Sequence, residues 1–248
     1  MHLGELRVGF ISHTTFLFGS ADGTVLLTDP YFAGAFEWQG GIETHLQRTD
    51  IRPESIDRCG AIFVSHEHGD HCDINAINTI AKNTGAKVLA PADVIEQTVR
   101  CGMDENRLVR VQDGQSIELG ELKLEVLGGY DNSFDAKGRM NKFSLLIRHG
   151  KTCIWYSGDC HALPPRLSGR LLDAVFCWTS PDILQAIAGI NPAPKRFVIM
   201  HHDRHTPGNF WCNRDPKKDA LIVSALLPGI DVIIPDRLGA LNSFCRRG

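Results

Sequence analysis

The chain has 248 residues, of which 43% are hydrophobic and 22% are charged, a composition typical of globular proteins with an apolar core. Its formal net charge of -3 gives no excess of basic residues, so the composition favours neither nucleic acid nor an anionic membrane surface as a partner. No apolar run approaches the roughly 20 residues that a membrane-spanning helix needs.

The first residues and the cysteines both indicate the cytoplasm. The opening MHLGELRVGF lacks the charged start, apolar core and cleavage site of a secretory signal. The eight cysteines contain no CxxC pair, which argues against a disulfide framework and against a structural zinc knuckle. We therefore expect a cytoplasmic protein, and a single domain, because no linker or low-complexity segment divides the chain.

The first half of the chain begins with strands and continues with strand–helix units. Short apolar runs separated by Gly, Asp and Pro predict strands joined by tight turns at residues 5–12, 14–19 and 24–30. After an apolar run at 61–64, a helix is predicted at 73–85, with Asp73 as its N-cap and Gly85 just beyond its end. A strand at 87–90 and a helix at 91–102 follow.

The second half of the chain repeats this order. Three strands are predicted at 121–128, 142–149 and 152–159, and the remaining elements are strands at 171–178, 196–202 and 231–235 alternating with helices at 181–189 and 216–226. Two blocks of strands, each followed by strand–helix units, predict an α/β (α+β) fold in which two sheets pack face to face with helices outside.

The stretch SHEHGDHCD, residues 65–73, concentrates metal-binding side chains at the end of a predicted buried strand. His66 and His68 are two residues apart, which places both imidazoles on one side of an extended segment. Asp70 and His71 follow Gly69, where the backbone can turn. The spacing predicts two pairs of ligands for two divalent ions, a pattern far more specific than a pair of histidines in a polar loop.

The spacing HxHxDH resembles the signature of the metallo-β-lactamase superfamily, and the resemblance extends over nearly the whole chain. Residues 11–32 are similar to the N-terminal pattern of the branch that includes ascorbate-6-phosphate lactonase, with Ser12 where glycine is usual. IWYSGDC (154–160) and FVIMHH (197–202) are similar to later strands of that family. The resemblance implies a single-domain, four-layer αββα sandwich with a binuclear metal site at one edge.

The resemblance also implies which residues hold the ions. His66 and His68 would bind the first metal, and Asp70 and His71 the second. Asp159 would bridge the two ions, and with Asp70 it is a candidate catalytic residue. A late histidine would complete the second site; His201 aligns best with it, and His202 and His205 are the alternatives.

One ligand of the family is missing from the middle of the chain. The family places a further first-site histidine near residues 124–133, where this chain has Tyr130 and Asp131, and no histidine lies between His71 and His149. Either Asp131 replaces the histidine as a carboxylate ligand, or the first site is incomplete and Asp131 serves an Asx turn. A carboxylate there would shift the metal preference from zinc towards manganese or iron.

Several other residues are expected beside the ligands. The resemblance places His13 near the site without making it a ligand, and Asp29 is expected to accept a hydrogen bond from a ligand histidine. His202, Arg204 and His205 lie in the loop at 201–211, which could line a pocket for an anionic group such as phosphate. The alternatives are a surface or core-satisfied histidine for His13, a plain turn aspartate for Asp29, and a loop without a substrate role for 201–211.

These residues predict a metal-dependent hydrolase that uses one or two divalent ions, Zn²⁺ or Mn²⁺. Two cations would lower the pKa of a shared water and polarise the substrate. The resemblance to the ascorbate-6-phosphate lactonase branch implies a small-molecule substrate, a lactone or a phosphate-bearing compound, with phosphodiester cleavage as the next choice. The competing hypothesis is a non-catalytic metal- or ligand-binding protein on a degenerate lactamase fold.

Overall fold

A computed structural model of the protein describes residues 1–128, 134, 138–206 and 214–236. Its elements, in chain order, are β1 (His2–Leu3), β2 (Leu6–Ser12), β3 (Thr15–Gly19), β4 (Val25–Thr28), β5 (Ala35–Trp38), β6 (Gly41–His45), β7 (Ala61–Phe63), α1 (Ile74–Thr84), β8 (Lys87–Ala90), α2 (Ala92–Arg100), β9 (Leu108–Arg110), β10 (Ser116–Leu119), β11 (Leu122–Leu127), β12 (Ser144–His149), β13 (Thr152–Tyr156), β14 (Ala174–Cys177), α3 (Pro181–Ala188), β15 (Arg196–Ile199), β16 (His205–Thr206), α4 (Pro216–Leu226) and β17 (Asp231–Ile233). Three short 3₁₀ turns lie at Pro53–Ser55, Glu105–Arg107 and Pro165–Leu167.

Two seven-stranded sheets form the body of the molecule. The first has the strand order β1-β2-β3-β4-β7-β8-β9 and the second β10-β11-β12-β13-β14-β15-β17. In each sheet, antiparallel hairpins come first and parallel strands follow, with β4, β7 and β8 parallel in the first sheet and β13, β14 and β15 parallel in the second. Both sheets therefore have the predicted organisation of hairpins followed by strand–helix units.

Three apolar cores separate four layers. The central core lies between the two sheets, where Phe16 of the first sheet meets Phe176 of the second edge to face, with ring centroids 5.0 Å apart. A second core joins the helices α1 and α2 to the outer face of the first sheet, and a third joins α3 and α4 to the outer face of the second. The four-layer αββα arrangement predicted from the sequence is confirmed.

Local sequence fixes both ends of helix α1. The Asp73 carboxylate accepts a hydrogen bond from the Ala76 amide at 3.0 Å and caps the helix, which ends at Gly85 with φ of 79°. The Asp73 amide also donates to the Pro30 carbonyl at 2.9 Å. The loop before α1 is therefore fixed at both ends against the first sheet.

A third, three-stranded sheet was not predicted. It has the order β16-β6-β5, and β6 pairs with β16 through His45 opposite His205. We call β5 and β6 the flap. Its sequence has no clear alternation of apolar and polar residues. β5 and β6 pair with each other as a local hairpin, and β6 pairs in addition with β16, a distant part of the chain. None of the four helices that the structure describes has the length and apolar character to cross a membrane.

Candidate metal centre

The polar side chains predicted from the motifs meet at one edge of the two sheets. In parallel strands the carboxyl ends lie at the same edge, where ligands usually bind. Asp29 follows β4, His66 follows β7, Asp159 follows β13 and His201 follows β15. The turn between β2 and β3 adds His13 to the same edge. Residues separated by up to almost 190 positions are thus brought together.

The loop between β7 and α1 contains a tight turn closed by backbone hydrogen bonds. The amides of His71 and Cys72 both donate to the carbonyl oxygen of His68, at 2.9 and 2.8 Å. This turn places Asp70 and His71 on the inner side of the loop, both buried, while His68 remains partly exposed. The HxHxDH spacing therefore divides its side chains between two positions.

The inner cluster consists of His13, Asp70, His71 and His201, all buried, with one potential ligand atom from each lying within 4.8 Å of the others. The Asp70 Oδ2 atom lies 3.2 Å from His13 Nε2, 3.3 Å from His201 Nε2 and 3.9 Å from His71 Nε2. One carboxylate oxygen is thus surrounded by three imidazole nitrogens.

The outer cluster consists of His66, His68 and Asp159 and is more open. The side chains of His68 and Asp159 are 26% and 18% exposed, whereas that of His66 is buried. Asp159 Oδ2 lies 3.5 Å from His66 Nε2, and Asp159 Oδ1 lies 3.1 Å from His71 Nε2. Asp159 therefore presents one oxygen to each cluster.

Hydrogen-bond donors and acceptors fix the tautomers of two cluster histidines. His71 Nδ1 donates to the Asp29 carboxylate at 2.8 Å, so in the neutral ring the lone pair lies on Nε2. The Ser65 hydroxyl donates its single hydrogen to Asp29 at 2.7 Å and must therefore accept from His66 Nδ1 at 2.9 Å. The Nε2 atoms of both histidines thus face the clusters, and each carries a lone pair when its ring is neutral.

Asp29 is the hydrogen-bond acceptor on which this arrangement depends. Besides His71 and the Ser65 hydroxyl, its carboxylate accepts from the Ser65 amide at 2.6 Å and from the Tyr156 hydroxyl at 2.7 Å. Asp29, His13 and His201 all have positive φ, at 37°, 51° and 60°. Such backbone strain in non-glycine residues is usual where a site must hold side chains in fixed positions.

The donor set fits a metal ion. Among the described residues, the buried Nε2 atoms of His66 and His71 and the Oδ1 atom of Asp70 make no hydrogen bond. A buried polar atom left without a hydrogen bond is costly, and a cation between facing imidazole and carboxylate groups removes that cost. Imidazole and carboxylate ligands suit zinc and its first-row neighbours.

The pKa values of the cluster residues reflect burial and the two carboxylates. Burial lowers the pKa of His13 to about 3, assisted by the charge of His201, so His13 is neutral. Burial also acts to lower the pKa of His71, but Asp159 and Asp70 outweigh it and hold the pKa well above its ordinary value. The pKa of Asp159 is held well below its ordinary value because His71 and His201 outweigh burial. Both clusters thus contain ionised carboxylate at neutral pH.

The remaining residues singled out in the sequence have different positions. His202 stacks on Phe10 with ring centroids 5.4 Å apart, and Arg204 is exposed, with its amide donating to Gln47. His205 is buried, and its Nε2 lies 3.2 Å from the Tyr31 hydroxyl. The structure thus brings His201, of the three late histidines, into the inner cluster.

Asp131, the predicted replacement for the missing histidine, lies outside the described residues.

Sequence reasoning missed His45 and Asp203. The His45 Nε2 atom lies 2.7 Å from the Asp203 carboxylate, and both residues are buried beside the inner cluster. Asp203 belongs to the loop predicted to line a pocket, but nothing in its local pattern distinguishes it. His45 lies in GIETH, which carries no motif, and only its pairing with β16 brings it to the site.

Comparison with known families agrees with this geometry. A family model described as the beta-lactamase superfamily domain matches residues 24–202, well over half of the chain. The protein therefore belongs to the beta-lactamase superfamily. The match contains the HxHxDH loop and the strands leading to Asp159 and His201, so it includes both clusters except His13.

Two relatives are similar in sequence. One from Anaeromyxobacter sp. (strain K), named a metal-dependent hydrolase, is 26% identical over 219 residues, which cover 80% of this chain and 75% of the relative. One from Herpetosiphon aurantiacus with the same name is 24% identical over 163 residues, which cover 63% of each chain, less than two thirds of that relative. The predicted class, a metal-dependent hydrolase of the beta-lactamase superfamily, is confirmed at this level.

A solved structure shows the same fold. The isothiocyanate hydrolase from Delia radicum gut bacteria has a TM-score of 0.67 and 16% sequence identity, with coverage of 93% of this chain and 96% of that protein. At this identity the likeness concerns the fold, and the chemistry must be argued from the site itself.

Proposed function

We propose that the protein hydrolyses a small anionic substrate at a centre of two divalent metal ions. The observation that carries this proposal is the position of Asp159, whose two oxygens face different histidine clusters, one near His66 and the other near His71 and His201. A carboxylate shared in this way is suited to bridge two cations, and paired cations are the usual means of activating water for hydrolysis in such sites.

The proposed ligands divide between the two clusters. His66 and His68 would hold the outer ion, and Asp70, His71 and His201 the inner ion, with Asp159 shared. The tautomers of His66 and His71 support this assignment, because hydrogen bonds on Nδ1 leave each Nε2 lone pair directed into its cluster. Asp131 would be the further ligand of the outer ion, in place of the histidine that is usual in the family.

His13 fits a supporting role better than that of a ligand. Its neutral ring carries one proton, and Nδ1 is buried without a hydrogen bond among the described residues. If Nε2 bound metal, Nδ1 would have to carry an unsatisfied N–H, which is costly in a buried position. With the proton on Nε2, the ring instead donates to Asp70 at 3.2 Å. His13 would then orient Asp70 towards the inner ion.

The chemistry needs few further groups. Bound divalent ions lower the pKa of a water molecule towards neutrality and polarise a carbonyl or phosphoryl oxygen. Asp159 and Asp70 remain ionised in the metal-free chain, so they can neutralise the charge of incoming cations. Asp159 is also the group placed to orient the attacking water or to accept its proton, since it is both central and partly exposed.

Lys142, beside the outer cluster, supports an anionic substrate. Lys142 precedes Phe143, whose amide donates to the Ser65 carbonyl at 3.0 Å. The lysine backbone is therefore held next to the loop between β7 and α1. Its positive charge is the main influence after burial that lowers the pKa of His68. His161, half-buried against Trp178 with ring centroids 4.8 Å apart, adds no such charge, because burial lowers its pKa. An ammonium group at the open side favours a phosphate or carboxylate on the substrate.

For the substrate class we propose a lactone or a phosphate-bearing small molecule, in keeping with the similarity to the ascorbate-6-phosphate lactonase branch. A phosphodiester is the next choice, because paired cations suit phosphoryl chemistry equally well. The absence of a histidine between His71 and His149 favours the competing possibility of a non-catalytic metal-binding protein. In that case the outer cluster would not retain an ion.

Metal content and turnover together test the proposal. The chain is purified without added metal, analysed for bound metal, and assayed with Zn²⁺ or Mn²⁺ added back against bis-p-nitrophenyl phosphate, a simple lactone and a thioester. Two ions per chain with hydrolysis of the lactone or the phosphodiester are expected. One ion without turnover of any of the three would support the binding protein, and no metal uptake would contradict both functions.

A further inference from the structure

The inner cluster is connected to the flap through buried hydrogen bonds. The Asp203 carboxylate accepts from His45 Nε2 at 2.7 Å and, through the same oxygen, from the His13 amide at 2.9 Å. His13 in turn lies 3.2 Å from Asp70 through its Nε2 atom. A continuous path thus runs from the flap through Asp203 and His13 to a proposed metal ligand.

The backbone of His13 needs external support. With φ of 51°, His13 has a left-handed conformation that is unfavourable for a non-glycine residue unless its surroundings hold it. Its amide donates a hydrogen bond to the Asp203 carboxylate, and its carbonyl accepts one from the His201 amide at 3.1 Å. The ring of His13 stands only 4.0 Å, between centroids, from that of His201. A small change in this backbone would move the ring against two cluster residues.

The flap itself is packed against the loop between β7 and α1. The rings of His45 and His205 stack with centroids 4.8 Å apart and an interplanar angle of 15°, and Tyr31 stacks on His45 at 5.1 Å. On the other side, Phe36 approaches Gly69 so closely that a Cβ atom on this glycine would lie 2.8 Å from the Phe36 Cβ atom. The ring of His45 is therefore packed on those of His205 and Tyr31, and Phe36 fixes the flap against Gly69.

We propose that His45 and Asp203 are positioning residues of the metal centre, which hold His13 so that it orients the Asp70 carboxylate towards the inner ion. This inference rests on the proposed function. It assigns to the flap, which carries none of the proposed ligands, a share in the affinity of the inner site. Residues that orient metal ligands typically contribute about 10- to 100-fold to metal affinity.

The test measures Zn²⁺ affinity by competition with a chromophoric chelator, in chains that carry His68→Ala so that the inner cluster is the site observed. His45→Ala removes the hydrogen bond to Asp203, and we expect it to lower Zn²⁺ affinity about 10- to 100-fold. His45→Gln keeps an N–H donor at nearly the position of Nε2 and should restore most of the affinity. The visible absorption spectrum of the Co²⁺-loaded chain should change with His45→Ala and return with His45→Gln.

His149→Ala is the matched control. His149 is also a buried histidine, with Nε2 3.1 Å from the Glu121 carboxylate, but it lies at the end of β12, away from both clusters. Its loss should leave Zn²⁺ affinity unchanged. Affinity of the His45→Ala chain equal to that of the control, or an equal loss with His45→Gln, would overturn the inference.

Asp203→Asn provides a second variant if His45→Ala does not fold. It keeps the shape of the side chain but removes its charge and one acceptor oxygen, so the Zn²⁺ affinity should fall in the same direction; an unchanged affinity contradicts the inference. A chain with His45 and Asp203 intact that takes up no metal refutes the proposed function itself and this inference with it. Normal metal uptake combined with insensitivity to both variants refutes only the inference.

Discussion

The inner and outer clusters differ in burial although the same loop supplies both. The inner cluster combines four buried side chains from three parts of the chain. The outer cluster contains three, and two of these are partly exposed. Closed metal sites with a full set of protein ligands usually serve structure, whereas catalytic sites keep an open position for water or substrate. The difference indicates that the inner ion would be held firmly and the outer ion would face the substrate.

Asp159 is the residue on which the two clusters depend together. Replacing it with alanine should remove the bridge, lower metal content below two ions per chain and reduce hydrolysis of the responsive substrate at least about 100-fold, the scale of losing one electrostatic contribution to the transition state. Elemental analysis and steady-state rates measure the two effects. The exposed Asp231→Ala variant is the control and should behave as the unaltered chain. Unchanged metal content in the Asp159 variant would show that the carboxylate bridges nothing.

Variants of His66 and His71 should distinguish the two clusters. His66→Ala should release the outer ion and leave about one ion per chain, with turnover largely lost. His71→Ala should weaken the inner ion, and because His71 also contacts Asp159 at 3.1 Å, it should disturb the outer ion as well. Zn²⁺ titration of the two variants side by side measures this asymmetry. Equal losses in both variants would mean that the clusters do not act as separate sites.

Asp29 influences both clusters through hydrogen bonds. It accepts one from His71 directly, and it reaches His66 through the Ser65 hydroxyl. Asp29→Asn leaves at least one of its donors without an acceptor, so we expect metal affinity to fall about 10- to 100-fold and the metal-free fold to lose about 1–3 kcal/mol. Chelator competition and urea unfolding report these separately. A variant that lost stability but kept its metal affinity would limit Asp29 to a folding role.

Tyr156 should give the smallest effect. Its hydroxyl donates to Asp29 at 2.7 Å, and it lies 2.9 Å from the Thr14 carbonyl. Tyr156→Phe removes one of several hydrogen bonds to Asp29 and keeps the ring, so stability should fall by about 1 kcal/mol and metal stoichiometry should not change. Thermal unfolding and metal analysis measure both. A lost ion in this variant would show that Asp29 tolerates no loss among its partners.

Short-range patterns predicted much of the fold. The limits of α1 followed from Asp73 and Gly85, because a capping carboxylate and a left-handed glycine act within one helical turn. The parallel strands β4, β7, β13 and β15 followed from apolar runs that end in polar residues. The flap and β16 were not predicted. β5 and β6 form a local hairpin whose residues lack a clear strand pattern, and β6 meets β16 through residues about 160 positions apart, a contact that no local pattern records.

For the site, the sequence by itself determined the chemistry of the proposed ligands. HxHxDH, the aspartate after β13 and the histidine after β15 identify imidazole and carboxylate donors because their spacing constrains the backbone locally. Only the tertiary structure decided which of the late histidines enters the inner cluster, that Asp29 fixes the tautomers of two histidines, and that His45 lies behind His13. These outcomes depend on hydrogen bonds between the ends of separate strands. The direction of a side chain there is set by packing across the fold, and the order of residues within one segment does not specify that packing.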